Sequence, residues 1–249
     1  MFVWPRESQV VDGHYEIPDT PGLGVELDEE VMAQYPCVRV KGNEKSDGME
    51  IIRLDSRQLK SASDVLAAPF FNYPMFAFYF PNPKRRARYL SWYLRNVLRC
   101  ALRYGEVYAT SEISGVVFAL PPGHTKISLW EYVQNGFFLT PFLLGLWNYI
   151  RSMVCEDFVG DTQEALMKER AHYYLWGLAV APGQQGKGIG TALMQPVLVK
   201  ADAQQMPVYL ETHDQNNIRY YQRYGFDLIH TAKIPKYDLP IWCMLREPV

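Results

Sequence analysis

Three glycines on alternate positions, Gly186, Gly188 and Gly190, follow a run of apolar and aromatic residues and precede a segment with helical periodicity. Residues without a side chain leave backbone N–H groups open to a ligand. The first turn of a helix adds N–H donors that lack a partner and the positive end of the helix dipole. This order of strand, glycine loop and helix predicts a binding site for an anion such as a phosphate or pyrophosphate.

The spacing of the loop does not fit two common phosphate-binding motifs. A P-loop requires Ser or Thr directly after its lysine, whereas Lys187 is followed by Gly188. A dinucleotide-binding fingerprint requires a third glycine at the position that Thr191 occupies. The pattern that does fit is Q-x-x-G-x-G, formed by Gln185, Gly188 and Gly190.

The segments on either side of the loop predict the elements that must position it. Residues 173–180 are aromatic and aliphatic apart from one glycine, which is typical of a buried strand. After the glycines, one helical face collects four apolar side chains, namely Leu193, Val197, Leu198 and Ala201. Residues 207–226 predict a further strand and helix.

The loop and this second block resemble the GNAT superfamily of acetyl-CoA-dependent N-acetyltransferases. The pyrophosphate loop of that superfamily carries the pattern Q/R-x-x-G-x-G/A between a strand and a helix. The second block ends in the Y-x-x-x-G-F of the superfamily at Tyr221, Gly225 and Phe226. The resemblance is clear over residues 172–249 and weak before them.

Two further resemblances concern the ends of the chain. The C-terminal segment most resembles the puromycin N-acetyltransferase branch, on the residues Trp242, Cys243, Met244 and Arg246. Residues 11–36 resemble the C-terminal end of enolase-superfamily sugar-acid dehydratases, and the resemblance rests on a sequence motif from Pro18 to Asp28. That part of a dehydratase holds no metal ligand or catalytic base, so no dehydratase activity follows. A remnant of a gene fusion or a mispredicted start is favoured over a coincidence of turn residues.

The GNAT resemblance implies an α/β (α+β) fold. Its central sheet is mixed, mostly antiparallel, splayed at the two middle strands and flanked by helices. We expect the acetyltransferase domain to cover residues 48–249 and to follow a loosely packed N-terminal extension over residues 1–47. Within the domain, the sequence patterns predict a strand at 49–54, helices at 56–70 and 84–105, a hairpin at 106–122 and a mostly helical segment at 125–171.

The resemblance also implies roles for particular residues. The pantetheine arm of acetyl-CoA would lie along Leu178, Ala179 and Val180, with a backbone N–H of this strand as the oxyanion donor. Asn217 would bond the same arm, and Tyr221 would protonate the departing thiolate, which suits a phenol with an ordinary pKa of about 10. The pyrophosphate would be held by the loop residues Gln185, Gly186, Lys187, Gly188, Ile189, Gly190 and Thr191.

Two residues of the sequence are candidates for the general base. Some superfamily members carry a glutamate where this chain has Tyr174, so that base is absent. Glu211 in the next strand is the best replacement, acting directly or through a water, and His172 is a second candidate. Either residue could instead have only a structural role. We interpret His213 as an ordinary loop residue.

Composition narrows the class of partner. A net charge of −2 argues against nucleic acid, since there is no basic excess. We interpret the basic cluster at 84–88 as a solvated helix face.

The four cysteines are far apart, which favours reduced, buried thiols over disulfides and gives no metal site. Residues 137–147 are too few to span a bilayer, which takes about 20. With no signal peptide visible, we expect a cytoplasmic protein that does not insert into a membrane.

The sequence therefore predicts an enzyme that transfers acetyl from acetyl-CoA to the primary amine of a small, apolar or aromatic molecule. The aromatic stretch at 70–80 could line the acceptor pocket, although core packing is favoured there. The same alternatives, again with core favoured, apply to Phe137, Phe138, Phe142, Leu146 and Trp147. Acetylation of a protein or peptide amine, or a non-catalytic acyl-CoA sensor, are the alternative functions. The sequence does not determine oligomeric state, and a homodimer is one option.

Deletion of residues 1–47 tests the domain assignment. We expect the truncated chain to stay soluble and to bind acetyl-CoA with unchanged affinity, because the extension has little apolar surface to contribute. Calorimetric titration of both chains with acetyl-CoA measures this. Loss of soluble protein on truncation would show that the extension is part of the fold.

Overall fold

The computed structural model describes residues 10–11, 14–15 and 49–249. The chain divides into two compact units, Met1–Asn43 and Glu44–Val249. In the first unit, β1 (Val10–Val11) pairs antiparallel with β2 (His14–Tyr15). The dehydratase-like motif, Cys37 and nearly all of the predicted extension lie outside the described residues.

A seven-stranded sheet forms the centre of the second unit, in the order β3-β4-β5-β6-β7-β9-β8. Every neighbouring pair is antiparallel except β6 and β7, which are parallel. The predicted fold class is therefore confirmed. The strands are β3 (Ile51–Arg53), β4 (Glu106–Thr110), β5 (Gly115–Leu120), β6 (Tyr173–Val180), β7 (Val208–Thr212), β8 (Asp227–Lys233) and β9 (Pro240–Arg246).

Helices cover both faces of this sheet. The α-helices are α1 (Leu59–Phe70), α2 (Pro74–Tyr79), α3 (Pro83–Tyr104), α4 (Leu129–Gln134), α5 (Thr140–Leu144), α6 (Leu146–Met167), α7 (Ile189–Ala203) and α8 (Asn216–Gln222). Short 3-10 turns precede α1 at Ser56–Gln58 and α5 at Phe137–Leu139. The helices predicted at 56–70 and 84–105 are confirmed. The longer one begins where the Asn82 side chain accepts two backbone N–H groups and Pro83 takes the first helical position.

Alternation along β5 divides the core into two parts. Val116 and Phe118 face the cluster that includes α1 and α3, whereas Val117 and Ala119 face the cluster that includes α7. Successive side chains of a strand point to opposite faces, so this strand is buried on both sides. The glycine loop and α7 consequently lie on the opposite face of the sheet from α1 and α3.

The two middle strands separate soon after they meet. Tyr173 pairs with Val208 and Tyr174 with Tyr209, and the parallel register of β6 and β7 extends no further. The rest of β6 stays paired to β5. This splay opens one edge of β6 along its C-terminal half.

A bulge in β6 lies beside the splay. On β5, Phe118 is opposite Gly177 and Ala119 is opposite Leu175, so Trp176 is the extra residue. Bulges bend a strand and redirect a side chain. A Cβ at Gly177 would lie 2.3 Å from the Phe118 ring, which shows how closely the two strands pack at this point.

The helical segment between β5 and β6 corrects one expectation. Phe137, Thr140 and Leu144 are buried, and their spacing of three and four residues defines one helical face. Core packing was favoured for the whole apolar run, and this is wrong for four of its residues, because the run is apolar on every side while only one face meets the core. The exposed residues are Phe138, Phe142, Leu146 and Trp147.

The remaining composition-based expectations concern cysteines and membranes. Cys100, Cys155 and Cys243 are buried free thiols, as predicted. Burial raises the pKa of the first two to about 12 and that of Cys243 to about 11. Among the helices at 49–249, none is long and apolar enough to cross a bilayer.

Two glycine substitutions test the packing at the bulge. We expect Gly177→Ala to lower the free energy of unfolding by about 1–3 kcal/mol, because the new methyl group would overlap the buried Phe118 ring. The matched control is Gly160→Ala inside α6, where the nearest atom to the added Cβ is 3.7 Å away. There we expect stabilisation of up to about 1 kcal/mol from helix propensity. Urea denaturation measures both, and equal stability of the two variants would contradict the close packing.

Candidate active site

A cavity of about 100 Å³ lies at the splay, between the separated strands and the aromatic segment of α1 and α2. Leu175, Trp176, Gly177 and Leu178 of β6 form one wall. The opposite wall includes Glu211 and Thr212 of β7, together with Asn217 near the start of α8 and Tyr221 near its end. The segment of α1 and α2 contributes the aromatic rings of Phe70, Tyr73, Phe76 and Tyr79.

The Glu211 carboxylate lies in the wall of this cavity in an environment that strongly perturbs its pKa. One oxygen accepts a short hydrogen bond from the Tyr174 hydroxyl, and the other, Oε2, is buried without a partner among the described residues. Burial raises the pKa of Glu211 to about 8; the Tyr174 hydrogen bond opposes this rise, and the negative charge of Glu156 adds to it. Such a carboxyl changes protonation close to neutral pH.

Tyr174 and Glu211 form a hydrogen-bonded pair across the two middle strands. Tyr174 occupies the position where some members of the resembling superfamily carry a glutamate, and its hydroxyl here donates to Glu211 on the adjacent strand. The carboxylate is thus supplied by β7 instead of β6, and it reaches the same cavity. The structure places the first of the two base candidates in the cavity wall.

Tyr221 lies in the cavity wall opposite β6. Its ring packs against Phe226 and Tyr220, with centroid distances of 5.7 and 5.2 Å. Its hydroxyl has no hydrogen-bond partner among residues 49–249. Burial, followed by the charges of Tyr73 and Glu211, raises the pKa of Tyr221 above its ordinary value, so the phenol carries its proton at neutral pH.

A hydrogen-bond network holds the loop after β7. Asn217 Nδ2 donates to Thr212 Oγ1 at 3.0 Å, and the Tyr73 hydroxyl lies 3.0 Å from the same oxygen. The backbone N–H of His213 donates to the Tyr73 hydroxyl at 2.7 Å. This network connects α8, β7 and the aromatic segment, and it fixes Asn217 at the cavity.

The two histidines do not lie where the sequence suggested. His172 does not line the cavity; its ring lies between Gln163 Nε2 at 2.9 Å and the Arg170 carbonyl at 2.7 Å, and burial lowers its pKa. His213, interpreted as an ordinary loop residue, is buried and does line the cavity. Its Nδ1 is 2.8 Å from the Pro240 carbonyl, and burial lowers its pKa to about 4.

The glycine loop fits an anion. Gly183, Gly186 and Gly188 have φ angles of 78°, 78° and 81°, a left-handed conformation that glycine adopts without strain. A Cβ at any of these three positions would meet nothing within 4 Å, so the outer side of the loop is open. Gly188 precedes the 15-residue helix α7 and provides no side-chain cap for its first N–H groups. These donors are available to a phosphate.

The rest of the predicted donor-binding residues connect this loop to the cavity. Leu178 lines the cavity, and Ala179 and Val180 lead from it to the loop. Inside the loop, Gln185 Nε2 donates to the Val180 carbonyl at 3.3 Å. Residues 185–188 of the loop, including Lys187, are exposed, whereas Ile189 is buried. Gly190 packs closely on Tyr220, because a Cβ at this position would lie 2.4 Å from the Tyr220 hydroxyl. Thr191 is hydrogen-bonded to Tyr224.

Sequence reasoning missed a second carboxylate in this cavity. Glu156 of α6 lines the cavity, and its Oε1 accepts a hydrogen bond of 2.6 Å from the Tyr79 hydroxyl. Burial is the main cause that raises its pKa. A signal was present, because Glu156 falls within the buried face of its helix, which is marked by Ser152, Cys155, Val159 and Gln163. Across the part of the chain that is described, no group of three or more metal-ligating side chains occurs.

Comparison with known proteins agrees with this arrangement. The family model described as Acetyltransferase (GNAT) family matches residues 145–226, which run from α6 through the splay to the end of the α8 block. This part of the chain is therefore similar to the GNAT acetyltransferases. The match includes the glycine loop, Glu211 and Tyr221, and it also includes Glu156.

The relatives are distant and extend over most of the chain. An uncharacterized N-acetyltransferase of Schizosaccharomyces pombe is 22% identical over 205 residues, which are 79% of this chain and 82% of the relative. A Corynebacterium glutamicum structure described as histone acetyltransferase HPA2 and related acetyltransferase has a TM-score of 0.57 and 18% identity, covering 81% of this chain and 97% of that one. Arylalkylamine N-acetyltransferase 2 of Aedes aegypti has a TM-score of 0.53 and 13% identity, covering 80% and 99%. These structures show that the GNAT fold is shared.

The raised pKa of Glu211 makes the stability of this acetyltransferase domain pH-dependent. In the unfolded chain a glutamate titrates near about 4.3, so between that value and about 8 the folded state binds more protons. The free energy of unfolding should therefore fall as the pH rises through this window, by about 1.4 kcal/mol for each unit of pKa shift at most. Glu211→Gln should flatten the fall.

Urea denaturation at several pH values between 4.5 and 8.5 measures this effect. The matched control is Glu112→Gln in the exposed turn between β4 and β5, which should keep the wild-type slope. A Glu211→Gln variant with an unchanged slope would contradict the assignment of a raised pKa to this carboxyl.

Proposed function

We propose that the protein transfers the acetyl group of acetyl-CoA to the primary amine of a small, apolar or aromatic molecule. The observation that carries this proposal is the meeting of Glu211 and Tyr221 in one aromatic cavity beside an open glycine loop. One group can take a proton from the incoming amine and the other can give a proton to the departing thiolate. Acyl transfer from a thioester requires little more from a protein, since the thioester is already activated.

The first step is removal of a proton from the acceptor. A primary amine arrives mainly as an ammonium ion and must become neutral before it can attack. The Glu211 carboxylate takes this proton, directly or through a water. Its raised pKa of about 8 makes it a stronger base than an exposed glutamate, while part of it is still ionised at neutral pH.

The second step forms the N–C bond and breaks the C–S bond. The amine nitrogen attacks the thioester carbon, and the oxyanion is stabilised by a backbone N–H of the open β6 edge, at Leu178 or Val180. As the intermediate collapses, the Tyr221 hydroxyl donates its proton to the sulfur of the departing CoA. The attached nitrogen loses its second proton in the same step, and this proton restores the Tyr221 phenol, directly or through a water. The products are the N-acetylated amine and CoA, and the proton taken by Glu211 returns to solvent.

The donor would be bound by the residues between the cavity and α7. The pantetheine arm would extend along Leu178, Ala179 and Val180 and contact Asn217. The pyrophosphate would meet the N–H groups of the loop from Gln185 to Thr191, because its glycines leave that side unobstructed. The bound donor supplies the activated acetyl group.

The lining of the cavity supports a small acceptor with apolar character. Aromatic rings enclose it, and a flat molecule with a short aminoalkyl arm would bury most of its surface there. The similarity of fold to an arylalkylamine acetyltransferase agrees with this size class. An acceptor of the type used by the puromycin N-acetyltransferase branch would fit the same description, and three buried thiols suit a reducing cytoplasm.

Thiol release from acetyl-CoA tests the activity directly. A panel of puromycin, arylalkylamines, alkyl diamines and lysine peptides should give release with small amines and little with peptides, because a cavity of about 100 Å³ has little room for a peptide chain. Release that requires a peptide would favour a protein acetyltransferase. Acetyl-CoA binding by calorimetry with no release across the panel would favour a non-catalytic acyl-CoA sensor.

Tyr221→Phe tests the mechanism. We expect kcat to fall by about 100-fold, as is usual when a general acid is removed, while the Kd for acetyl-CoA changes little. The control is Tyr89→Phe on α3, a partly buried tyrosine that does not line the cavity. If Tyr221→Phe and the wild type have equal kcat values, Tyr221 has no part in proton transfer.

A further inference from the structure

Two carboxylates line the cavity at the splay, and the proposed mechanism uses only one of them. Glu211 takes the proton of the reacting amine, whereas Glu156 has no role in that chemistry. Both residues are partly buried, and the surface that they expose lies in the wall of the cavity. The side chain of Glu156 therefore requires a separate explanation.

Glu156 also lines a second cavity, of about 250 Å³. Tyr93, Tyr132 and Glu156 belong to the walls of both cavities. The second cavity is otherwise mostly apolar and lies against α4, α5 and α6. The Glu156 carboxylate is thus placed where the body of an acceptor would extend after its reacting nitrogen has reached Glu211.

Neither carboxylate has a cationic partner in the described part of the chain. Within residues 49–249, the ion pairs closer than 4.0 Å involve other acids, and none includes Glu156 or Glu211. The partners they do have are neutral phenols, Tyr79 for Glu156 and Tyr174 for Glu211. Glu211 Oε2 is buried and has no hydrogen-bond partner among the residues that the structure describes. Burying unpaired negative charge is costly, so two such groups in one cavity favour the binding of positive charge.

The rings around Glu156 suit a cation as well. Tyr79 and Tyr93 lie edge to face with centroids 6.2 Å apart, and Tyr93 and Tyr132 both contact Phe137, with centroids 5.2 and 5.0 Å away. Aromatic faces attract ammonium groups, and this attraction strengthens where water is excluded. Carboxylate and rings together form a site for a protonated nitrogen.

Resting on the proposed acetyl transfer, we propose that Glu156 binds a second, non-reacting cationic nitrogen of the acceptor, so that the preferred acceptors are diamines. The reacting nitrogen gives its proton to Glu211 and becomes acetylated. The second nitrogen stays protonated beside Glu156 and keeps the acceptor in position for the reaction. Two carboxylates then face two nitrogens, and the cavity loses its unpaired charge.

The test compares acceptors of equal length that differ only in the second nitrogen. For chains of four to eight carbons, kcat/KM is measured for the α,ω-diamine and for the amino alcohol that carries a hydroxyl in its place. We expect the wild type to prefer the diamine of its best length by about 10- to 100-fold, the range expected for a hydrogen bond to a charged group. Most of the preference should appear in KM.

Variants then assign the preference to one residue. In Glu156→Gln the ratio of diamine to amino alcohol should fall toward about twofold, which is the statistical advantage of two equivalent amines. Glu164→Gln, an exposed glutamate two turns further along α6, should keep the wild-type ratio. Thermal unfolding of each variant verifies that it is folded. If the Glu156→Gln variant does not fold, the comparison of diamines with amino alcohols in the wild type still decides whether a second nitrogen is recognised.

The outcomes separate this inference from the proposed function. Turnover of amines in which kcat/KM for the diamine is no more than about twice that for the amino alcohol at every length would overturn the role of Glu156 and leave the acetyl transfer standing. A preference that survives in Glu156→Gln would assign the second nitrogen to another residue and would also overturn it. Absence of turnover with every amine, together with no calorimetric binding of diamines, would overturn both.

Discussion

The separation of β6 and β7 is the constraint on which the rest of the site depends. A continuous parallel sheet would pair every backbone group of these strands and leave no room between them. Pairing ends after Tyr174 and Tyr209, and the cavity begins there. The open edge of β6 is what a pantetheine arm could pair with, and the space beside it is where Glu211 and Tyr221 meet. The bulge at Trp176 adds a further change of direction on the other edge of the same strand.

The chemistry of the cavity follows from low polarity. Burial raises the pKa of Glu211 into the neutral range and keeps the Tyr221 phenol protonated. A glutamate at the surface would be a weak base at neutral pH, so the proposed base would be obtained at the expense of folding stability. Groups of this kind concentrate at functional sites because they are retained for what they do to a ligand. Burial also raises the pKa of Glu156. Binding of a cationic acceptor would offset the cost of burying both carboxylates.

Side chains from different strands supply equivalent functional groups here. The register of β6 and β7 places Tyr174 beside Tyr209, two residues before Glu211. A carboxylate on either strand can therefore reach the same space at the splay. In this chain the β6 position holds Tyr174, and its hydroxyl donates a hydrogen bond to the Glu211 carboxylate on β7.

The sequence by itself determined the parts that depend on local order along the chain. The strand, the glycine loop and the helix at 173–203 follow from apolar runs and from glycines that adopt left-handed φ angles, and these are properties of neighbouring residues. The sheet order and the splay were reached through the family resemblance that these elements carry. The N-terminal 47 residues stay a prediction.

Only the tertiary structure decided which distant side chains share a cavity. It placed Glu211 in the wall and His172 outside it, although both were reasonable bases from sequence. It also brought in Glu156 from α6, and it left Trp147 and Phe142 exposed although their run is as apolar as a core helix. The reason is physical: periodicity shows that a face exists, but which face is buried, and against what, depends on how elements far apart in the chain pack together.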